Sequence, residues 1–267
     1  MRTLLIDADV LAYQAAAVSE KAVEWEPGYW TWHTEWADVE RAFETKLDEI
    51  VQTLNGDDYR LCVTDSDGNF RLGVHPDYKG NRKSVKKPLI LKEFKQHLVT
   101  ERSAYFKPGL EGDDCMGILA THPKLIKGEK VIVSIDKDMK TIPGPYIRWG
   151  AEEQEKGIVE ISEAEADYWF LYQTLTGDTT DGYKGCPGVG PKKAESIIGK
   201  PLDAIEIGRS LDFPSGAVIR DCWPAVVAAY EAAGGNEDDA IIQARCARIL
   251  RASDYDYQNR RPILWTP

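Results

Sequence analysis

The chain has 267 residues, of which 43% are hydrophobic and 29% charged, and 33 Lys plus Arg against 44 Asp plus Glu give a formal charge of −11. This composition supports a large buried core, alone or with a small appendage, and excludes intrinsic disorder and a membrane-spanning helix. So much acid ordinarily weighs against nucleic-acid partners, which bind through phosphate neutralisation.

Arg2 to Ile6 is a short apolar run ending at Asp7 and predicts a buried strand, followed by a helix over Ala8 to Val18. Residues 23–34 carry Trp25, Tyr29, Trp30 and Trp32 around Glu26-Pro27-Gly28, which predicts an aromatic hairpin; such a hairpin usually fills a core, the alternative being that Trp25, Trp30 and Trp32 stack on unpaired bases. Helical spacing continues from Ala37 to Leu54 and closes at Asn55-Gly56. A second strand over Tyr59 to Thr64 ends at Asp65, a helix spans about Leu89–Val99, and another starts near Gly112. The third strand, Lys130 to Ile135, leads into Asp136 and Asp138. Beyond residue 160 the strand signal stops. A helix over Ser162 to Thr176, a Gly/Pro-rich turn at 182–191, a helix from about Lys192 to Ile198 and further helices to Arg251 follow. The expected fold is α/β, a mostly parallel central sheet flanked by helices with a helical C-terminal part, divided as 1–160 and 161–267. Five cysteines without a Cys-x-x-Cys pair, and a start without a secretory apolar stretch, fit a reducing, cytoplasmic setting.

Acidic signatures recur along the chain. They are Asp7, Asp65, Glu111-Gly112-Asp113-Asp114, Asp136-Lys137-Asp138 and Gly177-Asp178-Thr179-Thr180-Asp181. Any one of them reads blandly as a strand-end or N-cap acid. Together, at the C-terminal edge of one sheet, they repel each other by several kcal/mol unless cations neutralise them. Oxygen-only ligands suit Mg²⁺ or Mn²⁺, and two such ions hydrolyse phosphodiesters. Asp65-Ser66-Asp67-Gly68-Asn69 begins like an EF-hand loop, but Phe70 and Pro76 break the pattern. The four histidines lack metal-ligand spacing.

These motifs, with Tyr78-Lys79-Gly80-Asn81-Arg82 between the second and third, stand in the order seen in 5′-nucleases, and the chain resembles that family over nearly its whole length. The family includes flap endonucleases, the 5′-nuclease domain of bacterial DNA polymerase I and the stand-alone 5′→3′ exonucleases of tailed phages. Lys184-Gly185-Cys186-Pro187-Gly188-Val189-Gly190-Pro191-Lys192-Lys193-Ala194 looks like its helix–three-turn–helix element. The resemblance implies that Asp7, Asp65, Glu111 and Asp113 serve a first ion, and that Asp136, Asp138 and Asp178 serve a second with Asp113 shared. Asp114 and Asp181 would act through water or hold the ligands in place. It further implies a monomer whose Lys79 and Arg82 contact the scissile phosphate and whose Tyr78 stacks on DNA.

Charge is segregated as well. Lys79, Arg82, Lys83, Lys86, Lys87, Lys92 and Lys95 lie within 17 residues against Glu93 alone, either a solvated basic loop or a phosphate-tracking segment. The family shapes this region into a helical arch, whereas Pro88 here limits helix continuity. Gly188 and Gly190, with Lys192 and Lys193, offer backbone N–H groups and charge to a duplex phosphate, and the resemblance places a potassium ion on this turn. The expected function is a two-metal 5′→3′ exodeoxyribonuclease acting on DNA 5′ ends, flaps and RNA–DNA hybrids. A structure-specific flap endonuclease and a catalytically inactive DNA-binding module are the alternatives.

Overall fold

A computed structural model describes residues 1–150, 157–199 and 216–267, the side chains of residues 83 and 84 excepted. Five strands form the central sheet: β1 (Arg2–Asp7), β4 (Asp58–Cys62), β5 (Glu129–Ser134), β6 (Gly144–Arg148) and β7 (Val159–Ile161), in the order β4-β1-β5-β6-β7. The first four run parallel, with Thr3 in register with Asp58 and Lys130, and β7 closes the edge antiparallel to β6. The three predicted strands are therefore joined by two that the sequence pattern does not announce. Gly144-Pro145 opens β6, and β7 is only three residues long, so neither shows a β-branched run.

Alternation along β1 sends Leu4 and Ile6 to one face and Leu5 to the other. On the first face α1 (Ala8–Ser19), α2 (Trp36–Thr53) and α3 (Leu91–Thr100) bury Phe43, Leu47 and Phe94. On the second, α4 (Gly112–Thr121) packs Met116 and Ile118 with Ile249 and Leu250 of the returning C-terminal tail. α5 (Glu163–Thr176), α6 (Pro191–Ile198), α7 (Ala217–Ala232) and α8 (Glu237–Ala247) surround Phe170, Leu175, Val226 and Tyr230. Trp265 seals this cluster, its ring 5.1 Å from Phe170 and 4.8 Å from Trp223.

The aromatic hairpin forms as β2 (Lys21–Glu26) and β3 (Tyr29–His33), but it fills no core. It is a separate two-stranded sheet, so both of its faces meet solvent; Trp25 is 67% and Tyr29 62% exposed.

Candidate active site

β1 ends in Asp7, which also caps α1: its Oδ1 accepts the Val10 N–H at 3.3 Å, and its Oδ2 accepts the Ser134 hydroxyl at 2.9 Å. Ser134 ends β5 and accepts the Asp136 N–H at 3.1 Å, so one hydroxyl ties two acidic strand ends together. Asp136 Oδ1 in turn accepts the Asp138 N–H at 2.8 Å, starting a 3-10 turn. Asp113 enters from the first turn of α4. Burial, with Asp9 and Asp136 nearby, pushes the Asp7 carboxyl up to about 7. Burial, then Asp7 and Asp136, raises Asp113 well above the carboxylate range. Asp138 rises to about 7 through burial, Asp136 and Asp178. No ion pair reaches Asp7, Asp113, Asp136 or Asp138 among the described residues, so this edge has a deficit of positive charge.

Beside it the opposite holds. Glu111, the N-cap of α4, accepts Lys79 Nζ at 2.5 Å, Asn69 Nδ2 at 3.0 Å and the Tyr78 hydroxyl at 3.1 Å, with the Arg71 guanidinium at 3.4 Å. Burial acts to raise its carboxyl, but Arg71 and Lys79 outweigh it and hold the group below the usual range. Asp181 accepts Arg82 Nη2 at 2.5 Å and the Tyr78 hydroxyl at 3.0 Å. Arg71 is 1% exposed and holds Asp114 through two 2.8 Å hydrogen bonds, while donating to the carbonyls of Cys246 and Arg248.

For Asp114 the structure favours the second of its two expected roles, and for Tyr78 it corrects the expectation. Asp114 is fully buried, and its oxygens are engaged by Arg71 and by the Leu250 and Glu111 N–H groups, so it braces the α4 N-terminus that carries Asp113. Tyr78 is 4% exposed, stacked against Tyr183 at 6.4 Å with its hydroxyl spent on two carboxylates, and offers no face to a base. The aromatic that does line the cleft is Tyr13, 45% exposed, one helical turn beyond Asp9.

That cleft, of about 420 Å³, is bordered by Asp9, Tyr13, Asp65, Lys79, Arg82, Lys87, Lys95 and Glu111. Asp65 contributes with both oxygens on backbone N–H groups, those of Asp67 and Gly109. Asp9, missed in the sequence reading although Asp7-Ala8-Asp9 announces it, pairs with Lys95 at 2.7 Å. The basic segment forms no arch among its described residues. It has a 3-10 turn over Gly80–Ser84 and then α3, and its charges are largely spent internally: Lys86 on Glu20, Lys92 on Asp67, Lys95 on Asp9. The Lys83 side chain lies outside the described residues.

Asp178 follows α5, its Oδ1 taking the Thr180 and Asp181 N–H groups at 2.6 and 3.2 Å. The loop is pinned where Gly177 (φ +67) crosses Gly185 (φ +68); a Cβ on either would stand 2.3 Å from the other strand's backbone. Beyond it Gly188 and Gly190 are exposed, Pro191 opens α6, and Lys192 and Lys193 project from its first turn, with Lys193 Nζ 3.5 Å from the Gly188 carbonyl. Among the described residues no three Asp, Glu, His or Cys side chains already stand in metal-holding geometry. No described helix is long and apolar enough to cross a membrane.

Comparison with known proteins adds the following. Residues 2–168 match the family model of the 5′-3′ exonuclease, N-terminal resolvase-like domain. The exonuclease of Escherichia phage T7 is 34% identical over 99% of this chain and 93% of its own length. The exodeoxyribonuclease of Enterobacteria phage T3 is 33% identical over 99% and 92%. A crystal structure of the bacteriophage T5 flap endonuclease, in a pseudo-enzyme-product complex with DNA and metal ions, superposes with a TM-score of 0.56 at 14% identity. It covers 97% of this chain and 95% of that one, and shows the same fold.

Proposed function

The chain belongs to the 5′-3′ exonuclease family and is a nuclease, and on that premise we propose that its acid-lined sheet edge hydrolyses phosphodiester bonds from DNA 5′ ends. The observation that carries the reading is the charge deficit at Asp7, Asp113, Asp136 and Asp138, one buried and three half-buried acids that no ion pair reaches among the described residues. An all-oxygen, cation-poor set of this kind fits two hard divalent ions, Mg²⁺ or Mn²⁺. Asp7, Asp65, Glu111 and Asp113 would hold one, and Asp136, Asp138 and Asp178, with Asp113 shared, the other. When bound, such ions acidify water and neutralise charge on the phosphate.

The chain's own residues supply the rest. Lys79, left-handed at φ +54 and tethered through its N–H to the Asp181 carbonyl at 2.7 Å, keeps its ammonium in the cleft, where it can donate to a phosphate oxygen. The Arg82 side chain is 47% exposed and can turn from Asp181 to the same phosphate. Tyr13 offers a ring to the base at the cut. Residues 1–160 thus cut, with Lys87, and Lys86 on turning from Glu20, tracking phosphate, while 161–267 hold the duplex through the Gly188–Gly190 backbone, Lys192 and Lys193, with a K⁺ ion on the turn. Flaps and the RNA strand of RNA–DNA hybrids are further substrates of one monomeric enzyme, because the contacts address backbone and not bases.

Digestion of 5′- and 3′-labelled duplex in Mg²⁺ tests this. Label should leave the 5′ end first as short products, Asp113→Asn should abolish cleavage, and DNA binding should persist in that variant. First loss of the 3′ label, or wild-type turnover by Asp113→Asn, would sink the assignment. Binding without any cleavage would make the chain an inactive DNA-binding module, and release of long intact flaps would make it primarily a flap endonuclease.

A further inference from the structure

The β2–β3 hairpin takes no part in the buried core or in the acid site, yet it displays Trp25, Tyr29, Trp30 and Trp32 at 67%, 62%, 45% and 43% exposure. So much clustered aromatic surface on a projecting ribbon marks an interaction site. Its side chains are held. Trp25 Nε1 donates to Thr31 Oγ1 across the strands at 2.9 Å, and Lys86 Nζ stands 4.1 Å over the Trp32 ring. Glu20, just before β2, fastens this contact by accepting Lys86 Nζ at 2.7 Å and the Leu89 N–H at 2.8 Å. Trp30 and Trp32, two apart on one strand, share a face.

The basic segment joins this face to the cleft. Lys86 touches the hairpin, and Lys87, the next residue, lines the cleft beside Arg82. A polynucleotide leaving the cleft along these lysines meets the tryptophans, and unpaired bases, unlike those of a duplex, can stack on rings. We propose that the hairpin is a stacking platform for single-stranded DNA, with Trp30 and Trp32 as its paired rings and the Lys86-Lys87 step as the track that leads to it. The proposal rests on the nuclease reading of the cleft, and it adds a binding surface outside the chemistry.

The test uses the full chain in chelator, with an oligothymidylate of roughly 12 nucleotides and a blunt duplex as probes. Trp30→Ala with Trp32→Ala should weaken oligothymidylate binding by on the order of 10- to 100-fold and leave blunt-duplex binding unchanged. Trp30→Phe with Trp32→Phe should restore most of the affinity, and oligothymidylate should quench the tryptophan fluorescence of the parent more than that of the phenylalanine variant. Unchanged oligothymidylate binding, or an equal loss on both probes, would overturn the platform. So would a dimer in light scattering that the alanine variant loses while single-strand binding stays, since the face would then belong to a second copy. Digestion of the blunt duplex in Mg²⁺ judges the nuclease reading separately.

Discussion

Arg71 shows what one buried side chain does for the site. It has five N–H donors and no acceptor capacity, and in a space 1% exposed it spends them on the Asp114 and Glu111 carboxylates and on two carbonyls of the C-terminal part. The start of α4, which carries Asp113, is thereby tied to the chain at Cys246 and Arg248. Removing one partner of a buried pair leaves the other charge uncompensated, so Arg71→Met should cost about 3–5 kcal/mol in urea unfolding. Asp114→Asn in the same chain should lose less than the sum of the single changes, by about 1–3 kcal/mol, because the stranded charge is gone. Strict additivity would show that the two do not act as a pair. Nothing in Asn69-Phe70-Arg71-Leu72 announces this role, since a lone arginine is usually solvated and its partners here lie 40 or more residues away along the chain. Tyr78 was misassigned for the same reason: a motif carries residue order, whereas burial is set by Glu111 and Asp181 arriving from elsewhere.

At the scale of elements, the crossing of Gly177 and Gly185 sets where Asp178 and Asp181 stand, and it leaves no room for a side chain. Gly185→Ala should force the two backbones apart, lowering stability by about 1–3 kcal/mol and cutting turnover more than duplex affinity. Full activity with normal stability would remove the crossing from the site's support. The turn before α6 is a different matter, because the duplex contact proposed for it is electrostatic. Lys192→Ala with Lys193→Ala should lower the slope of log binding constant against log salt by about 1 to 2, and an unchanged slope would place these lysines off the duplex. Elements were legible where apolar runs met a capping or acidic signal, as in β1, β4, β5, α4 and α5. β6 and β7 were not, because Gly144-Pro145 and a three-residue strand contain no pattern beyond what pairing with β5 confers. In the hairpin the alternation identified the strands, but whether a neighbour covers them is decided by the rest of the fold.

For the whole molecule, the net charge of −11 conceals two separate arrangements. Some of the acid is neutralised internally, as Glu111, Asp114 and Asp181 are by Arg71, Lys79 and Arg82. Asp7, Asp113, Asp136 and Asp138 are instead crowded at the sheet edge with no ion pair among the described residues, and the ordered acidic motifs let the sequence foretell that crowding though not the internal pairing. Burial, together with this crowding, makes stability depend on pH. Asp7 and Asp138 hold protons up to about pH 7 in the folded chain, whereas unfolded aspartates lose theirs near pH 4. Between those limits the folded state binds more protons than the unfolded state, so stability in chelator should fall as pH rises from about 4 to 7. The fall is at most about 1.4 kcal/mol per pH step for each group, and it levels off above that window. Divalent ions at the same carboxylates should replace those protons. Mg²⁺ should then raise the melting temperature most near neutral pH, flatten the profile, and release protons measurable by titration calorimetry in buffers of different ionisation enthalpy. Asp113→Asn should weaken both the slope and the proton release, because it removes a carboxyl that burial, Asp7 and Asp136 hold well above the usual range. A chelated protein whose stability is level from pH 4 to 7, or one that Mg²⁺ leaves unshifted, would mean that these carboxylates are neutralised by something other than metal.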